Sequence, residues 1–302
     1  MLSSKYKTIS IVFSVFLIII ISQLNHFMRQ SNQISEYSNR MNSNLENSNI
    51  SGIIHINNNW SDVKTAGICT GEGIESNPYI IKNMIIDGGG LASGILIENT
   101  EEHFIITNCY INNTGDDYHD AGIKLDNVEN GQLINNTVQG KAFGIWLNRS
   151  DNNIILGNTL RNKRGLHVGY CFDNTIYLNN FIATQVNTFI LLNVDKANKW
   201  SSPNKALYIY EGNTYKSYLG NYYALYQNSD NNNDGIGDTP YIKYGDPDLY
   251  VDYYPLIQST ENYEIIKFIK DSEADIPGYN LFLIIGILSI ILIIINNKIR
   301  KS

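Results

Sequence analysis

The dominant pattern along the chain is a small residue followed by an apolar-x-apolar triplet: Gly94-Ile95-Leu96-Ile97, Gly122-Ile123-Lys124-Leu125, Gly144-Ile145-Trp146-Leu147 and Gly165-Leu166-His167-Val168. The steps between these units are 28, 22 and 21 residues, the first lengthened by an insertion around Thr114 to Asp120. A weaker unit begins at Thr188, and an incomplete one covers Tyr79 to Asp87. Each unit also holds a second apolar stretch that runs into an asparagine, at Asn83, Asn108, Asn136, Asn158 and Asn180. Alternation with a period of two predicts strands, and no segment between them sustains a helical period. A unit of about 22 residues fits three short strands per coil, each coil lying about 4.8 Å from the last. The expected fold is therefore all-β, a right-handed parallel β-helix over 51–200, with Ile95/Ile97, Ile123/Leu125, Ile145/Leu147 and Leu166/Val168 stacked inside. Asparagine accepts the left-handed backbone that a sharp corner demands, and stacked carboxamides can hydrogen-bond from coil to coil. The chain holds 42 asparagines, yet their recurrence at matched places predicts Asn108, Asn136, Asn158 and Asn180 in one column.

The two ends are apolar without alternation. Lys5 and Lys7 precede a run from Ile9 to Ile21, so 1–28 reads as a signal peptide or an uncleaved signal anchor; no small-x-small site follows, and both readings stay open. Residues 279–297 approach the roughly 20 apolar residues of a membrane-spanning helix. The basic tail 298–302 would stay in the cytoplasm and leave the rest of the chain outside. Terminal hydrophobic helices are thus expected on either side of the solenoid. The segment 29–50 is an Asn/Ser-rich stretch too poor in apolar residues to offset its ordering entropy, hence a disordered linker. Residues 201–258 read as a Tyr-rich cap and 259–278 as a second linker.

A formal charge of -7 without a long basic run argues against nucleic acid as a partner. Three cysteines are too few for a disulfide scaffold. Cys69 and Cys109 could pair in an oxidising exterior, leaving Cys171 as a core thiol.

Several local motifs carry a family resemblance. They are Cys69-Thr70-Gly71-Glu72-Gly73, Asn77-Pro78-Tyr79-Ile80-Ile81, the repeats themselves, Gly220-Asn221-Tyr222-Tyr223, Asp234-Gly235-Ile236-Gly237-Asp238-Thr239-Pro240-Tyr241 and Asp252-Tyr253-Tyr254-Pro255-Leu256. Over about residues 53 to 257 the chain resembles the NosD-type β-helix proteins of archaea, part of a wider group of carbohydrate-binding and sugar-hydrolase β-helices with a pectate-lyase-like fold. The resemblance implies a fold and an exported location, and no single activity. The end Ile276-Pro277-Gly278-Tyr279-Asn280, followed by an apolar run and a basic tail, resembles archaeal Pro-Gly-aromatic sorting signals. That resemblance implies a sorting enzyme as a partner and attachment to a membrane lipid.

Candidate chemistry falls at three places. Outward positions between the inward pairs put Leu96, Lys124, Trp146 and His167 in one stripe, with Lys124, Trp146 and His167 as a sugar platform and the rival expectation that an insertion covers it. Asp116, Asp117 and Asp120 of the insertion are candidate carboxylates for glycoside cleavage, against the alternative of surface charges. Asp230, Asn232, Asp234, the Ile236 carbonyl and Asp238 follow the oxygen spacing of a calcium loop, although Tyr241 stands where a bidentate Glu is expected. Asp246, Asp248 or Asp252 would have to complete such a shell. Copper, which the family name suggests, finds no Met-x-x-Met, His-x-His or Cys-x-x-Cys pair, and His26, His55, His103, His119 and His167 are scattered. The expected function is a membrane-anchored, non-catalytic surface module that binds a glycan or a surface-layer component. The alternative is an extracellular polysaccharide hydrolase or lyase acting on a β-helix face.

Overall fold

The computed structural model describes residues 48–191, 198–242 and 251–269. The segments expected as a signal peptide or signal anchor (1–28), as a membrane anchor (279–297) and as a basic tail (298–302), with the Pro-Gly-aromatic motif, lie outside these residues. Three parallel sheets form the body of the fold as a β-solenoid. The first sheet stacks Ile54–Asn57, Ile95–Thr100, Ala121–Val128, Phe143–Asn148, Arg164–Gly169 and Val186–Leu191. The second stacks Tyr79–Lys82, Phe104–Thr107, Gly131–Ile134, Ile154–Leu156 and Thr175–Tyr177. The third runs from Ser48–Ser51 through Met84–Asp87, Tyr110–Asn112, Thr137–Gln139, Thr159–Arg161 and Asn180–Phe181 to Tyr222–Tyr223.

Each sheet contributes a column of inward side chains in strict register. In the first, Ile95, Ile123, Ile145 and Leu166 lie one above another, as do Ile97, Leu125, Leu147 and Val168. Ile81, Ile106, Leu133, Ile155 and Ile176 form the column of the second. Ile86, Ile111, Val138, Leu160, Phe181 and Tyr223 form that of the third. All are buried, and burial of each such aliphatic is worth about 1.5–3 kcal/mol. The small residue that opens each unit has a packing reason. A Cβ on Gly122 would meet Val138 Cγ1 at 2.0 Å and on Gly144 would meet Leu160 Cβ at 2.9 Å, because the corner between the third and first sheets folds tightly over the core.

The asparagines divide two tasks between adjacent columns. Asn83, Asn108, Asn135, Gly157 and Leu178 hold positive φ between 54° and 67° at the corner from the second to the third sheet. The residue after each forms the ladder: Asn136 Oδ1 accepts from Cys109 N at 3.0 Å, Asn158 Oδ1 from Asn136 N at 2.9 Å, Asn179 Oδ1 from Asn158 N at 2.9 Å and Asn221 Oδ1 from Asn179 N at 3.1 Å. The single column expected for Asn108, Asn136, Asn158 and Asn180 is therefore corrected. Asn108 precedes the ladder by one residue and Asn180 follows it by one, because paired asparagines such as Asn179-Asn180 allow two frames. A second ladder, Asn153 to Asn174 to Asn198, stands at the corner from the first to the second sheet.

At the N-terminal end a short helix, Trp60–Thr65, adds Trp60 and Val63 to the core. Trp60 stacks on Tyr79 at 4.8 Å and its Nε1 donates to Thr100 Oγ1 at 3.0 Å. The Tyr-rich cap is an antiparallel sheet of Lys205–Tyr210, Asn213–Ser217 and Tyr263–Ile269. It has a separate core that includes Tyr208, Tyr210, Leu219, Ile236, Leu256 and Tyr263. The cap thus extends into the stretch expected as a linker from 259, and the linker expected over 29–50 gives its last residues to the strand Ser48–Ser51. Ser48–Ser51 is mostly polar, which hides it from a composition argument, whereas Tyr263–Ile269 is apolar enough to leave Ile266 and Phe268 exposed and is defined by its pairing with Lys205–Tyr210.

Candidate functional site

The stripe forms in the expected register, Leu96 beside Lys124 beside Trp146 beside His167. It is not an open platform. Trp146 is 5% exposed and His167 is fully buried, with the indole stacked on the imidazole at 3.6 Å. The insertion folds over them: Tyr118 and His119 pack edge-on against Trp146 at 5.7 and 5.3 Å, and Phe143 closes the side at 5.0 Å. Lys124 Nζ lies 5.7 Å from the indole centroid, and the Arg164 guanidinium 5.3 Å from both Tyr118 and Phe143. Burial, then His119 and Lys124, push the His167 imidazole down to about 3, so it is neutral at ordinary pH. The sugar platform expected of Lys124, Trp146 and His167 is corrected to a roofed aromatic cluster.

The carboxylates of the insertion do not divide into an acid and a nucleophile. Asp116 Oδ1 accepts from Lys163 Nζ at 2.6 Å, and that hydrogen bond holds its carboxyl below the usual range, the reverse of what a general acid needs. Asp120 Oδ2 accepts from Asp117 N at 3.1 Å and closes the turn of the loop itself. Asp117 is exposed.

An open concavity lies at the corner between the first and second sheets. A groove of about 670 Å³ is lined on one wall by Asn99, Asn127, Arg149 and Tyr170 and on the other by Glu101, Glu129, Asp151 and Phe172. The first wall is a column of left-handed residues, with φ of 55°, 58°, 46° and 54°. Asn127 Nδ2 donates to Asn99 Oδ1 at 3.0 Å along it, Arg149 pairs with Asp126 at 3.1 Å, and Tyr170 is 51% exposed. The second wall is in register as well, since Thr100 pairs with Val128 and Glu129 bridges Asp151. Sequence reasoning missed this groove although a signal exists: an acid stands seven residues after the opening glycine in the units of Gly94, Gly122 and Gly144.

In the loop expected to hold calcium, Asp230 Oδ1 and Asn232 Oδ1 both accept from Asp234 N at 3.1 Å, and Asp234 Oδ1 accepts from Ile236 N at 2.8 Å. Asp238 turns aside to Asn231 Nδ2 at 2.7 Å. Among the described residues no group of three His, Cys, Asp or Glu side chains could hold a metal ion. Of the expected completing acids, Asp246 and Asp248 lie outside the described residues. Asp252 is buried and engaged by Asn221 N, Tyr223 Oη and Tyr254 N. Cys69, Cys109 and Cys171 are all free and buried, so the pairing of Cys69 with Cys109 does not form. Among the described residues no helix is long and apolar enough to cross a membrane.

A family model described as "Periplasmic copper-binding protein (NosD)" matches residues 17–228. The chain belongs to the NosD family. Comparison with curated proteins and with solved structures gives no match. Among the described residues the donors do not fit the copper of the NosD description. Copper(I) sites gather thiolates, thioethers or imidazoles within one coordination sphere. Here burial pushes Cys109 up to about 11 and Cys171 up to about 12, holding both as thiols. They sit at different corners of the NosD solenoid: Cys109 at the head of the Asn136 ladder, Cys171 beside Ser150. His55 lies 2.6 Å from Glu98, and His167 is face to face with Trp146.

Proposed function

We propose that this NosD-family protein is an extracytoplasmic, non-catalytic binding module whose groove at the first corner takes a glycan chain, with residues 279–297 as its membrane anchor. The observation that carries the reading is the groove wall. An exposed tyrosine face offers CH contact to a sugar ring, while carboxamides, an arginine and carboxylates stand within reach to bond hydroxyls. The periplasmic description of the family suits an exported module, and the apolar ends suit anchoring. Hydrolase or lyase action lacks a candidate in the insertion, where Asp116 is tied to Lys163. The test is a glycan array read with the full chain and with Tyr170→Ala, followed by analysis of bound glycans for shortened products. Binding that Tyr170→Ala weakens supports the module. Chain shortening would favour the hydrolase or lyase, and absence of any bound glycan would remove the reading.

Calcium is a secondary element of the same proposal. Two side-chain oxygens, from Asp230 and Asn232, converge on the amide of Asp234, with the Ile236 carbonyl and the Asp234 carboxylate in the same turn. A cation binding only the folded cap would raise its melting temperature. Melting of the full chain with millimolar calcium and with chelator decides this, and coincident curves would leave the loop as a turn held by its own hydrogen bonds.

A further inference from the structure

The groove continues beyond Asn99 and Glu101. These two residues also line a second concavity of about 480 Å³ that includes Ile74, Glu75, Glu102 and His103. The two form one trough along the solenoid axis. Its charge is one-sided. Glu101, Glu129 and Asp151 stand in three successive coils, so their backbones are roughly 4.8 Å apart, and Glu75 and Glu102 extend the row at the N-terminal end. Of the basic side chains on the lining, Arg149 is already paired with Asp126, a residue outside the trough, at 3.1 Å. Asp151 Oδ1 accepts from Phe172 N at 2.7 Å, whereas Glu101 and Glu129 line the trough with no ion pair among the described residues. Apolar contact is supplied at both ends, by Ile74 and Tyr170, each 51% exposed.

A ligand running along such a trough passes a carboxylate at each coil it crosses. An acidic polysaccharide, with one carboxylate per sugar, would meet like charge at every step, while an amine-bearing chain would meet a counter-charge of matching spacing. We infer that the trough selects an amine-bearing glycan over its N-acetylated form and rejects uronates. This rests on the glycan reading above and adds the charge class of the sugar. The carboxylate row supplies discrimination, Tyr170 and Ile74 supply affinity common to all hexoses, and the carboxamides of Asn99 and Asn127 bond hydroxyls of either form.

The experiment is a titration of the full chain with three probes: a glucosamine hexamer, an N-acetylglucosamine hexamer and an oligogalacturonate hexamer, each in low and moderate salt. The expected order is glucosamine first, by about tenfold or more over the N-acetylated form, with uronate unbound. The glucosamine preference should shrink as salt shortens the screening length from about 30 Å at 0.01 M to about 10 Å at 0.1 M. Glu129→Gln, which keeps shape and removes charge, should lower glucosamine affinity several-fold and leave the N-acetylated form unchanged. Tyr170→Ala should weaken both, with melting curves confirming that each variant folds. Equal binding of the amine and N-acetylated hexamers, or binding of uronate, would overturn the charge selection while leaving the glycan reading intact. Hexalysine binding as tightly as the glucosamine hexamer would overturn the assignment to a sugar, and no binding of any probe would overturn both.

Discussion

The backbone N–H of Asn221 donates to the buried carboxylate of Asp252 at 2.9 Å, so the column of asparagines ends on a charged acceptor. Above it, Asn221 repeats the two-handed contact of Asn136, Asn158 and Asn179, with Oδ1 accepting from the neighbouring coil and Nδ2 donating to the Ile176 carbonyl at 2.9 Å. Below it no further asparagine follows, and the carboxylate takes that place while also accepting from Tyr223 Oη and Tyr254 N at 3.0 Å each. Asp252 thereby joins the last coil to the cap. Asp252→Ala should leave these buried donors without an acceptor and cost about 3 kcal/mol or more. Asp252→Asn, which keeps one acceptor oxygen, should cost less. Chemical unfolding of the two variants measures the difference, and equal stability of both with the unchanged protein would remove the terminal role.

The division of labour between neighbouring asparagines gives a paired test. Asn158 is fully buried and its carboxamide engages Asn136 N, Leu133 O and the Asn179 ladder contact. Asn158→Ala should therefore cost about 2–4 kcal/mol, the expense of leaving more than one buried polar group unpaired. Asn108 is exposed and serves through its φ of 54°. Asn108→Gly should be close to neutral, because glycine adopts that conformation without strain. A larger loss at Asn108 than at Asn158 would reverse the assignment.

The roofed aromatic cluster predicts an acid sensitivity. The buried His167 has its folded pKa pushed below its ordinary value, to about 3, so the unfolded chain binds the extra proton first. The contribution of the neutral ring is complete above about pH 6.5 and is lost as pH falls toward the folded value, with a slope of at most about 1.4 kcal/mol per pH unit. Melting should thus fall between pH 7 and pH 4, largely above the range where ordinary carboxylates protonate. His167→Phe should flatten that slope. Trp146→Ala should cost about 3–5 kcal/mol, as for a core tryptophan, although an outward strand position alone would make the change mild. An unchanged pH slope in His167→Phe would show that another group carries it.

What the sequence made legible followed from periodicity. Inward pairs such as Ile145 and Leu147 alternate with a period of two whatever surrounds them, so the coils and their register could be read directly. Periodicity says only that Trp146 points away from the core. It carries no information about the insertion of another coil, and Tyr118 and His119 reach the indole from a different unit of the chain. The calcium-like spacing was legible as a turn, since Asp230 and Asp234 cap backbone amides there, but spacing does not report where Asp238 points. The acids of the groove were visible as single corner charges. Their meaning depends on stacking, which turns Glu101, Glu129 and Asp151 from three unrelated positions into one wall. Strand Tyr263–Ile269 escaped because Glu264 and Lys267 break its apolar content, and it is its antiparallel pairing with Lys205–Tyr210 that defines it.

Membership of the NosD family is separable from the copper in the family's description. Among the described residues, Cys109, Cys171, His55 and His167 are donors that the solenoid has already engaged. Cys171 Sγ donates to Gly169 O at 3.1 Å and accepts from Ser150 N at 3.3 Å, acting as one rung in a corner ladder. Cys109 is 1% exposed and faces the carbonyls of Ile81 and Thr107. Releasing either as a thiolate would open the core that holds the coils together, and metal ligation requires the deprotonated form. The expected outcome is that the full chain, offered one equivalent of copper(I), yields it to a competing chelator, and that its melting curve does not move. A resident ion at 100 times its dissociation constant would instead add about 2.7 kcal/mol and be plainly visible. Retention of one copper per chain, lost in Cys109→Ser or Cys171→Ser variants that still fold, would show that these thiols are available to a metal and would overturn the prediction.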